Sequence, residues 1–299
     1  MSSSKKIILK NVSKTYGKHK ALNNINLEID KGMFGLLGHN GAGKSTLMKI
    51  LTTLICPDKG SSINICGYNI CKDKLNIRKI VGFLPQEFNI YPQLSPKEFL
   101  DYIAQLNYIK NSLERKKVIN TVMEKVNLVD CMDKKIGSFS GGMKRRLGIA
   151  QALIKNPEVL IVDEPTAGLD PEERIRFRTM LVELSQNKIV ILSTHIVEDV
   201  SASCEKIALL ASGELKYIGS PSSFIKNVDN MVWEKTIYNA SELIKIKNLY
   251  NIVSIRQSSN GTIIRFIANI NNISEKQNLN SVNPSLEDAY LHYMENIRK

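Results

Sequence analysis

The stretch Gly-His-Asn-Gly-Ala-Gly-Lys-Ser-Thr, residues Gly38 to Thr46, has the spacing of a phosphate-binding loop: a glycine, four residues, then Gly-Lys-Ser. Glycines at Gly38, Gly41 and Gly43 let the backbone take φ > 0 and turn its N–H groups inward around phosphate oxygens. Lys44 is placed to reach the β- and γ-phosphates, and the Ser45 hydroxyl to ligate Mg2+. Working outward, Phe34–Leu37 is a short apolar run that reads as a strand. After the loop, Leu47, Ile50, Leu51 and Leu54 recur on one face of a helix. Strand, loop and helix in that order aim a helix N-terminus, with its free N–H groups and dipole, at the bound anion.

The rest of the chain extends this pattern. Ile7–Val12 and Ile25–Ile29 read as strands flanking the polar stretch that contains Tyr16. Residues 60–71 read as a hairpin, and Ile80–Leu84 as a strand ending at Pro85-Gln86. A helical block follows. Ser95-Pro96-Lys97-Glu98 is a capping box with proline at the first helical position. Phe99, Leu100, Ile103 and Leu106 give that helix its apolar face, and Val118, Val122, Met123 and Val126 give the next one its own. A third helix starts near Ser140. Strands return at Val159–Val162, Ile189–Leu192 and Ile207–Leu210, with a helix after Asp170-Pro171-Glu172-Glu173, again read as a capping box. Strands alternating with helices predict an α/β fold with a mostly parallel sheet. The pattern breaks near Gly219–Ser223, so the expected division is 1–220 and 221–299, with a helical subdomain at about 88–156. The second part reads as a small α+β appendage. It has a strand at Trp233–Ile237, a helix at Ala240–Leu249, a hairpin turned at Asn260-Gly261, and a last helix started by Asn283-Pro284.

Composition excludes several classes. At 299 residues, 43% hydrophobic and 23% charged, the chain is an ordinary globular sequence with enough length for one large core or two modest ones. No apolar run approaches the ~20 residues of a membrane span, and the N-terminus lacks the apolar region of a signal peptide. Five cysteines show no Cys-x-x-Cys spacing and four histidines do not cluster, so neither a zinc site nor a disulfide framework is expected. The net charge of +12 lies mostly before residue 221. Solvated helix faces of a lysine-rich chain are the favoured account of such an excess, and binding of nucleic acid or of an anionic membrane surface is the alternative.

Two further segments carry chemistry. Val159–Val162 is an apolar strand ending in Asp163-Glu164, and carboxylates at that edge of a central strand face the ligand crevice of an α/β sheet. Asp163 is suited to hold Mg2+ through water, and Glu164 to polarise an attacking water. Ser140-Gly141-Gly142 opens a helix and so makes a second anion-accepting N-terminus.

In the order and spacing of these elements, residues 7–220 resemble the nucleotide-binding subunit of an ATP-binding cassette (ABC) transporter. The resemblance implies a P-loop NTPase cassette: a RecA-like core, an antiparallel β subdomain and a helical signature subdomain. Gly38, His39, Asn40, Gly41, Ala42, Gly43, Lys44, Ser45 and Thr46 correspond to the Walker A loop. Tyr16 corresponds to the aromatic that stacks on adenine, Gln86 to the Q-loop residue that senses the metal, and Asp163 and Glu164 to the end of Walker B. Phe139, Ser140, Gly141, Gly142 and Met143 correspond to the family signature, Gly168, Leu169 and Asp170 to the D-loop, and His195 to the switch histidine. Phe139 and Met143 stand where the family has Leu and Gln, and His39 stands where it often has Pro. Glu164, His195 and Lys44 are the catalytic positions so implied, and Ser45, Gln86 and Asp163 those around Mg2+.

The resemblance also implies ATP and Mg2+ as ligands and a head-to-tail dimer in which each ATP lies between one chain's Walker A loop and its partner's signature. It further implies a separate integral-membrane permease docked beside Phe88–Leu94, with Phe88 and Tyr91 as candidate contacts, and a place at the cytoplasmic face of the cell membrane. No nucleic acid is expected. Ser140–Arg146, Asp163–Pro171 and Pro284–Tyr290 look like the drug, antibiotic or lantibiotic exporter branch. Soluble ATPases with the same cassette act in DNA repair or on ribosomes. The former carry a long coiled-coil insertion and the latter two cassettes, whereas about fifty residues separate Gln86 from Phe139 here and no repeat is found. An importer ATPase remains an alternative at this stage.

Overall fold

In the computed structural model, which describes residues 5–269, 271 and 279–298, the polar stretch before the phosphate loop is strand rather than loop. β1 (Ile7–Tyr16) and β2 (His19–Ile29) run up to a turn of only Gly17 and Lys18, with Tyr16 directly opposite His19. Buried residues alternate along β2 at Ile25, Leu27 and Ile29 and along β1 at Ile7 and Leu9, with Val12 buried after an irregularity in the pairing between Leu9 and Val12. That is the period-2 pattern of a sheet with one wet face.

β3 (Gly32–Leu37) leads through the phosphate loop into α1 (Lys44–Leu51). This helix stops a turn short of the sequence expectation, and Leu54 is exposed beyond it. β4 (Ser62–Ile65) and β5 (Tyr68–Asn69) complete a four-stranded antiparallel sheet in the order β2-β1-β4-β5. α2 (Lys74–Ile80) precedes β6 (Val81–Leu84).

The helical block holds α3 (Pro96–Leu106), α4 (Ser112–Lys125) and α5 (Gly141–Leu153). Ser95 and Glu98 form the full reciprocal capping box on α3. Phe99 and Leu100 are buried there, but Leu106 is exposed, so the apolar face is shorter than the periodicity predicts. β7 (Val159–Asp163), α6 (Pro171–Ser185), β8 (Ile189–Thr194), α7 (Val197–Ser203), β9 (Lys206–Ala211) and β10 (Glu214–Gly219) follow. Asp170 caps α6 by accepting from the Glu173 amide, but the box is only half made, because the Glu173 carboxylate turns to Arg146 and Arg176 instead.

Six strands form the central sheet in the order β10-β9-β3-β8-β7-β6, with parallel pairing from β9 through β6. β7 and β8 are buried at every residue, as expected of parallel strands covered on both faces. One buried cluster joins β3, β7, β8 and α1 to the antiparallel sheet, so both sheets share a core.

The chain divides into two compact units, Met1–Ile218 and Gly219–Lys299. The second starts with α8 (Pro221–Ile225), capped by Ser220. It then holds β11 (Val232–Ile237), α9 (Ala240–Leu249), β12 (Asn251–Ser258), β13 (Gly261–Ile267) and β14 (Leu279–Ser281), with sheet order β12-β13-β11-β14. Ser258 pairs with Gly261, so the hairpin turns on Ser259-Asn260, one residue before the expected position. The last helix, α10 (Leu286–Arg298), is capped by Ser285 rather than started by Asn283-Pro284. The Asn283 carbonyl is taken instead by Arg265. Among the described residues no helix is long and apolar enough to cross a membrane.

Asp288 is fully buried at the start of α10. It accepts from Arg265 Nε at 2.9 Å and Nη2 at 2.6 Å, and from the Ser285 amide and hydroxyl at 2.6 and 2.7 Å. Burial alone would raise its pKa, but the bonds from Arg265 and Ser285 outweigh burial and hold the carboxyl below its ordinary value. A depressed carboxyl stabilises the fold above the unfolded pKa, about 4, and loses that contribution as pH falls through the folded value. Asp288→Ala, which leaves the Arg265 guanidinium with Glu234 and the Asn283 carbonyl as partners, is expected to cost about 1–3 kcal/mol in denaturant unfolding. Asp288→Asn should flatten the acid limb of the stability profile below about pH 4.

Candidate functional site

Parallel register gathers the site. Leu37 of β3 lies opposite Thr194 of β8, Asp163 of β7 opposite Ser193 of β8, and Leu84 of β6 opposite Val162 of β7. Gly38, Glu164 and His195 each follow directly, and Gln86 comes two residues after Leu84, so four loops leave the sheet at one edge.

In the loop itself Gly41 and Gly43 take φ of +82° and +109°, as the glycine argument requires. Gly43 also has the Ala21 carbonyl where a Cβ would lie, 2.6 Å away. Gly38 does not use a positive φ. It is glycine because the Leu210 carbonyl of β9 passes 2.3 Å from the position of a Cβ. Lys44 is 5% exposed, and its ammonium donates to the Gly38 carbonyl at 2.6 Å and the His39 carbonyl at 3.3 Å.

Glu164 is the centre of the charge arrangement. Its Oε1 lies 3.2 Å from Lys44 Nζ, and its Oε2 accepts from His195 Nδ1 at 2.6 Å. The residue sits at φ +49°, a left-handed conformation that costs a non-glycine residue about 1–3 kcal/mol. The Glu164 amide, donating to the Ser193 carbonyl at 2.8 Å, holds it there. Behind it, Thr166 Oγ1 donates to the fully buried Asp199 of α7, which also meets Arg178 at 3.4 Å. That link joins the loop after β7 to the helix after His195.

Asp163 is buried, and burial raises its carboxyl above the ordinary range. Its Oδ1 has no hydrogen-bonding partner among the described residues. A buried carboxylate oxygen left open next to the phosphate loop fits a hard cation, and with the Ser45 hydroxyl and the Gln86 amide oxygen it makes an all-oxygen set suited to Mg2+.

These loops enclose a cleft of about 540 Å3, in the size range of small-molecule sites. Its lining includes Tyr16, His19, His39, Asn40, Gly41, Gly43, Lys44, Ser45, Thr46, Gln86 and Glu164. Gly38 and Ala42 stand behind it as backbone and packing. Tyr16, half exposed, has the Lys14 ammonium 5.6 Å from its ring centre. His19 was not singled out from the sequence. Its place opposite Tyr16 across a two-residue turn was the available signal, because directly paired residues share a face. A larger hollow of about 700 Å3 between α3 and α4 lies apart from these loops and has none of their chemistry.

The signature segment does not line this cleft. Ser140 and Gly141 are exposed, and the Ser140 hydroxyl caps α5 through the Met143 amide at 3.2 Å. Gly142 is buried against Glu173, whose carboxylate lies 2.2 Å from the position of a Cβ. Phe139 is buried in the helical block, so its ring packs rather than faces outward. Gly168 turns at φ +77°, and Leu169 lies beside Gly141, so the Gly168–Asp170 turn abuts the start of α5. The aromatic pair divides: Phe88 packs edge-on to Phe99 with centroids 6.4 Å apart, while Tyr91 is 66% exposed.

Comparison with known proteins gives the family of the chain. Residues 22–167 match the family model described as ABC transporter. The chain is 35% identical to the linearmycin resistance ATP-binding protein LnrL of Bacillus subtilis (strain 168), over 81% of this chain and 79% of that protein. It is 34% identical to the ABC transporter ATP-binding protein NatA of the same organism, over 70% and 85%. A Nod factor export ATP-binding protein I of Burkholderia thailandensis is 35% identical over 72% and 71%. A solved dimeric ATP-binding cassette in a post-hydrolysis state, bound to ADP and Pi, superposes with a TM-score of 0.63 at 29% identity, over 72% of this chain and 98% of that one. The chain belongs to the ABC transporter family, as an ATP-binding subunit with the P-loop NTPase fold.

The close approach at Gly38 gives a test of the loop's geometry. Gly38→Ala should lower stability by about 1–3 kcal/mol through overpacking against Leu210. It should also lose most of the thermal shift that MgATP gives the unaltered chain, as read by differential scanning fluorimetry.

Proposed function

We propose that the chain hydrolyses ATP to power a separate integral-membrane permease at the cytoplasmic face of the cell membrane, and that the cargo is exported. One observation carries the hydrolytic reading. A strained, buried Glu164 is held between Lys44 and His195 at the mouth of a phosphate loop. Strain at such a position is a mark of function rather than of stability.

In the proposed reaction Tyr16 stacks on the base and the amides of Gly41–Thr46 surround the phosphates. Lys44 moves from the Gly38 carbonyl and Glu164 to the β- and γ-phosphates. Glu164 then takes the proton of a water whose oxygen bonds to the γ-phosphorus as the bond to the ADP oxygen breaks. His195 holds Glu164 through Nδ1 and meets the γ-phosphate with its other face. Ser45, Gln86 and Asp163 would hold Mg2+, which neutralises charge on the transferring phosphoryl.

Ser140–Gly142, exposed at the start of α5, is read as the cap for the ATP of a second copy, giving a head-to-tail dimer with ATP between helix N-termini. Loss of the γ-phosphate then weakens that interface. The solved dimeric cassette bound to ADP and Pi supports this reading. Export draws support from relatives whose names include linearmycin resistance and Nod factor export. The segment Phe88–Leu94, with Tyr91 exposed in it, is the proposed docking point for the permease.

Glu164→Gln should bind ATP yet hydrolyse it at least about a hundredfold more slowly, and should accumulate as an ATP-bound dimer on size exclusion. Turnover by the purified variant at the unaltered rate would overturn the role of Glu164. Tyr91→Glu is expected to reduce recovery of the co-expressed membrane partner in pull-down from detergent, and full recovery would remove Tyr91 from the docking surface.

A further inference from the structure

The loop after β7 and the segment from His195 into α7 are joined by two rungs. The outer rung is the bond between Glu164 and His195, 2.6 Å long, with the imidazole exposed. The inner rung is the bond that the Thr166 hydroxyl donates to Asp199 Oδ2, and both of its members are buried. Thr166 follows Glu164 by two residues, and Asp199 follows His195 by four. The same two segments are therefore bridged once at the cleft and once behind it.

Both ends of the inner rung are fixed to rigid parts of the fold. The Thr166 carbonyl accepts from the Leu169 amide at 3.1 Å, which closes the turn at Gly168. Val200, next to Asp199 in α7, packs on Gly35 of β3, where a Cβ would lie 2.9 Å from Val200 Cγ1. From α6, Arg178 reaches the other oxygen of Asp199 at 3.4 Å, and Glu198 at 3.3 Å. Ahead of α7 the Thr194 hydroxyl accepts from the Ile196 amide at 2.9 Å, which pins the backbone just after His195. The His195 ring is held differently: among the described residues its one hydrogen bond is the bond to Glu164. Burial pushes the Asp199 carboxyl above its ordinary value, against the Thr166 bond and the charges of Arg174 and Arg178. A buried ionic link of this kind adds little net stability, and the property it can supply is a fixed geometry.

We propose that Asp199, acting through Thr166, is a positioning residue that sets the spacing between His195 and Glu164. This rests on the hydrolytic reading above and deepens it. Both members of the outer rung act on the nucleotide in that reading. As Glu164 takes the proton of water its charge falls, and its bond to His195 weakens in the same step. The inner rung, closed to water, keeps the two segments in register through that change. Without it the left-handed backbone at Glu164 loses one of its restraints and relaxes, and the imidazole and carboxylate part. A shift of about 1 Å is enough to slow a positioned reaction by as much as about a hundredfold. Nucleotide affinity stays as it was, because neither Thr166 nor Asp199 lines the cleft.

Thr166→Val, which keeps the shape of the side chain and removes its hydroxyl, tests this, with Thr166→Ser as the variant that restores a donor. Thr166→Ala takes the place of the valine variant if that one does not fold. The purified full-length proteins are compared in MgATP turnover and in proton NMR of the imidazole N–H groups. The proton that His195 shares with Glu164 gives a downfield resonance, assigned by its loss in His195→Gln. In Thr166→Val kcat should fall about tenfold while KM for MgATP changes less than about twofold, and the downfield resonance should move or vanish. Thr166→Ser should recover most of kcat and return the resonance to its place. A merely structural role would lower the melting temperature and leave kcat and the resonance unchanged, and that result overturns the proposal. A loss of activity carried by KM, or one that serine does not repair, overturns it as well. Absence of the resonance in the unaltered chain removes the outer rung and this inference with it. No MgATP turnover by the unaltered chain, with a resonance that still responds to Thr166→Val, overturns the hydrolytic reading and leaves the spacing role of Asp199 standing.

Discussion

The register of three parallel strands is the constraint on which the site depends. Because β3, β8 and β7 pair in step, Gly38, His195 and Glu164 leave the sheet at one edge, linked in turn by Lys44 between the Gly38 carbonyl and Glu164 and by His195 on Glu164. β7 and β8 are buried at every residue, so a slipped register would force every side chain to repack against the opposite covered face, and close packing of the core opposes it. The charged groups follow from it. Lys44, Glu164 and His195 form a short chain in which one carboxylate pairs in charge with a buried ammonium and orients an imidazole. The unusual backbone at Glu164 is held by the neighbouring strand through Ser193, so the sheet that sets the register also maintains the strain.

Glycine serves two separate purposes here. At Gly41 and Gly43 it supplies a left-handed backbone for the loop. At Gly38, Gly142 and Gly148 it lets another element approach more closely than any side chain permits: the Leu210 carbonyl, the Glu173 carboxylate and the Phe88 ring. The second use gathers α5, α6 and the Gln86 segment into one assembly, with Arg145 and Arg146 fastening what the glycines admit. Ser140, exposed at the tip of this assembly, contributes nothing to the chain's own cleft.

The second unit follows a different logic. Its sheet is antiparallel and small, with a core around Ile237, Ile264 and Phe266. Its last helix is tied to β13 by the bidentate bond between Asp288 and Arg265 rather than by apolar area alone. The Pro284–Tyr290 stretch, which in the sequence only marked a resemblance, thus holds a cap at Ser285 and a buried ion pair at Asp288.

By itself the sequence determined the local elements and their chemistry. The Gly38–Thr46 spacing, the Ser95–Glu98 box, the helix start near Ser140 and the apolar strand before Asp163 are all legible within a few residues, because turn, cap and strand preferences are local. Tertiary structure decided what those elements meet. Nothing near Gly38 in the sequence announces Leu210, and nothing near Glu173 announces that its carboxylate meets Arg146 of α5 as well as Arg176 of its own helix. His19 and Arg145 gain their places from partners 3 and 59 residues away, across a turn and across the helical block. The site was legible as a list of residues because each loop carries its own signature. How it is wired was not, because hydrogen bonds and close contacts between distant segments exist only once the shared core has fixed the strand register.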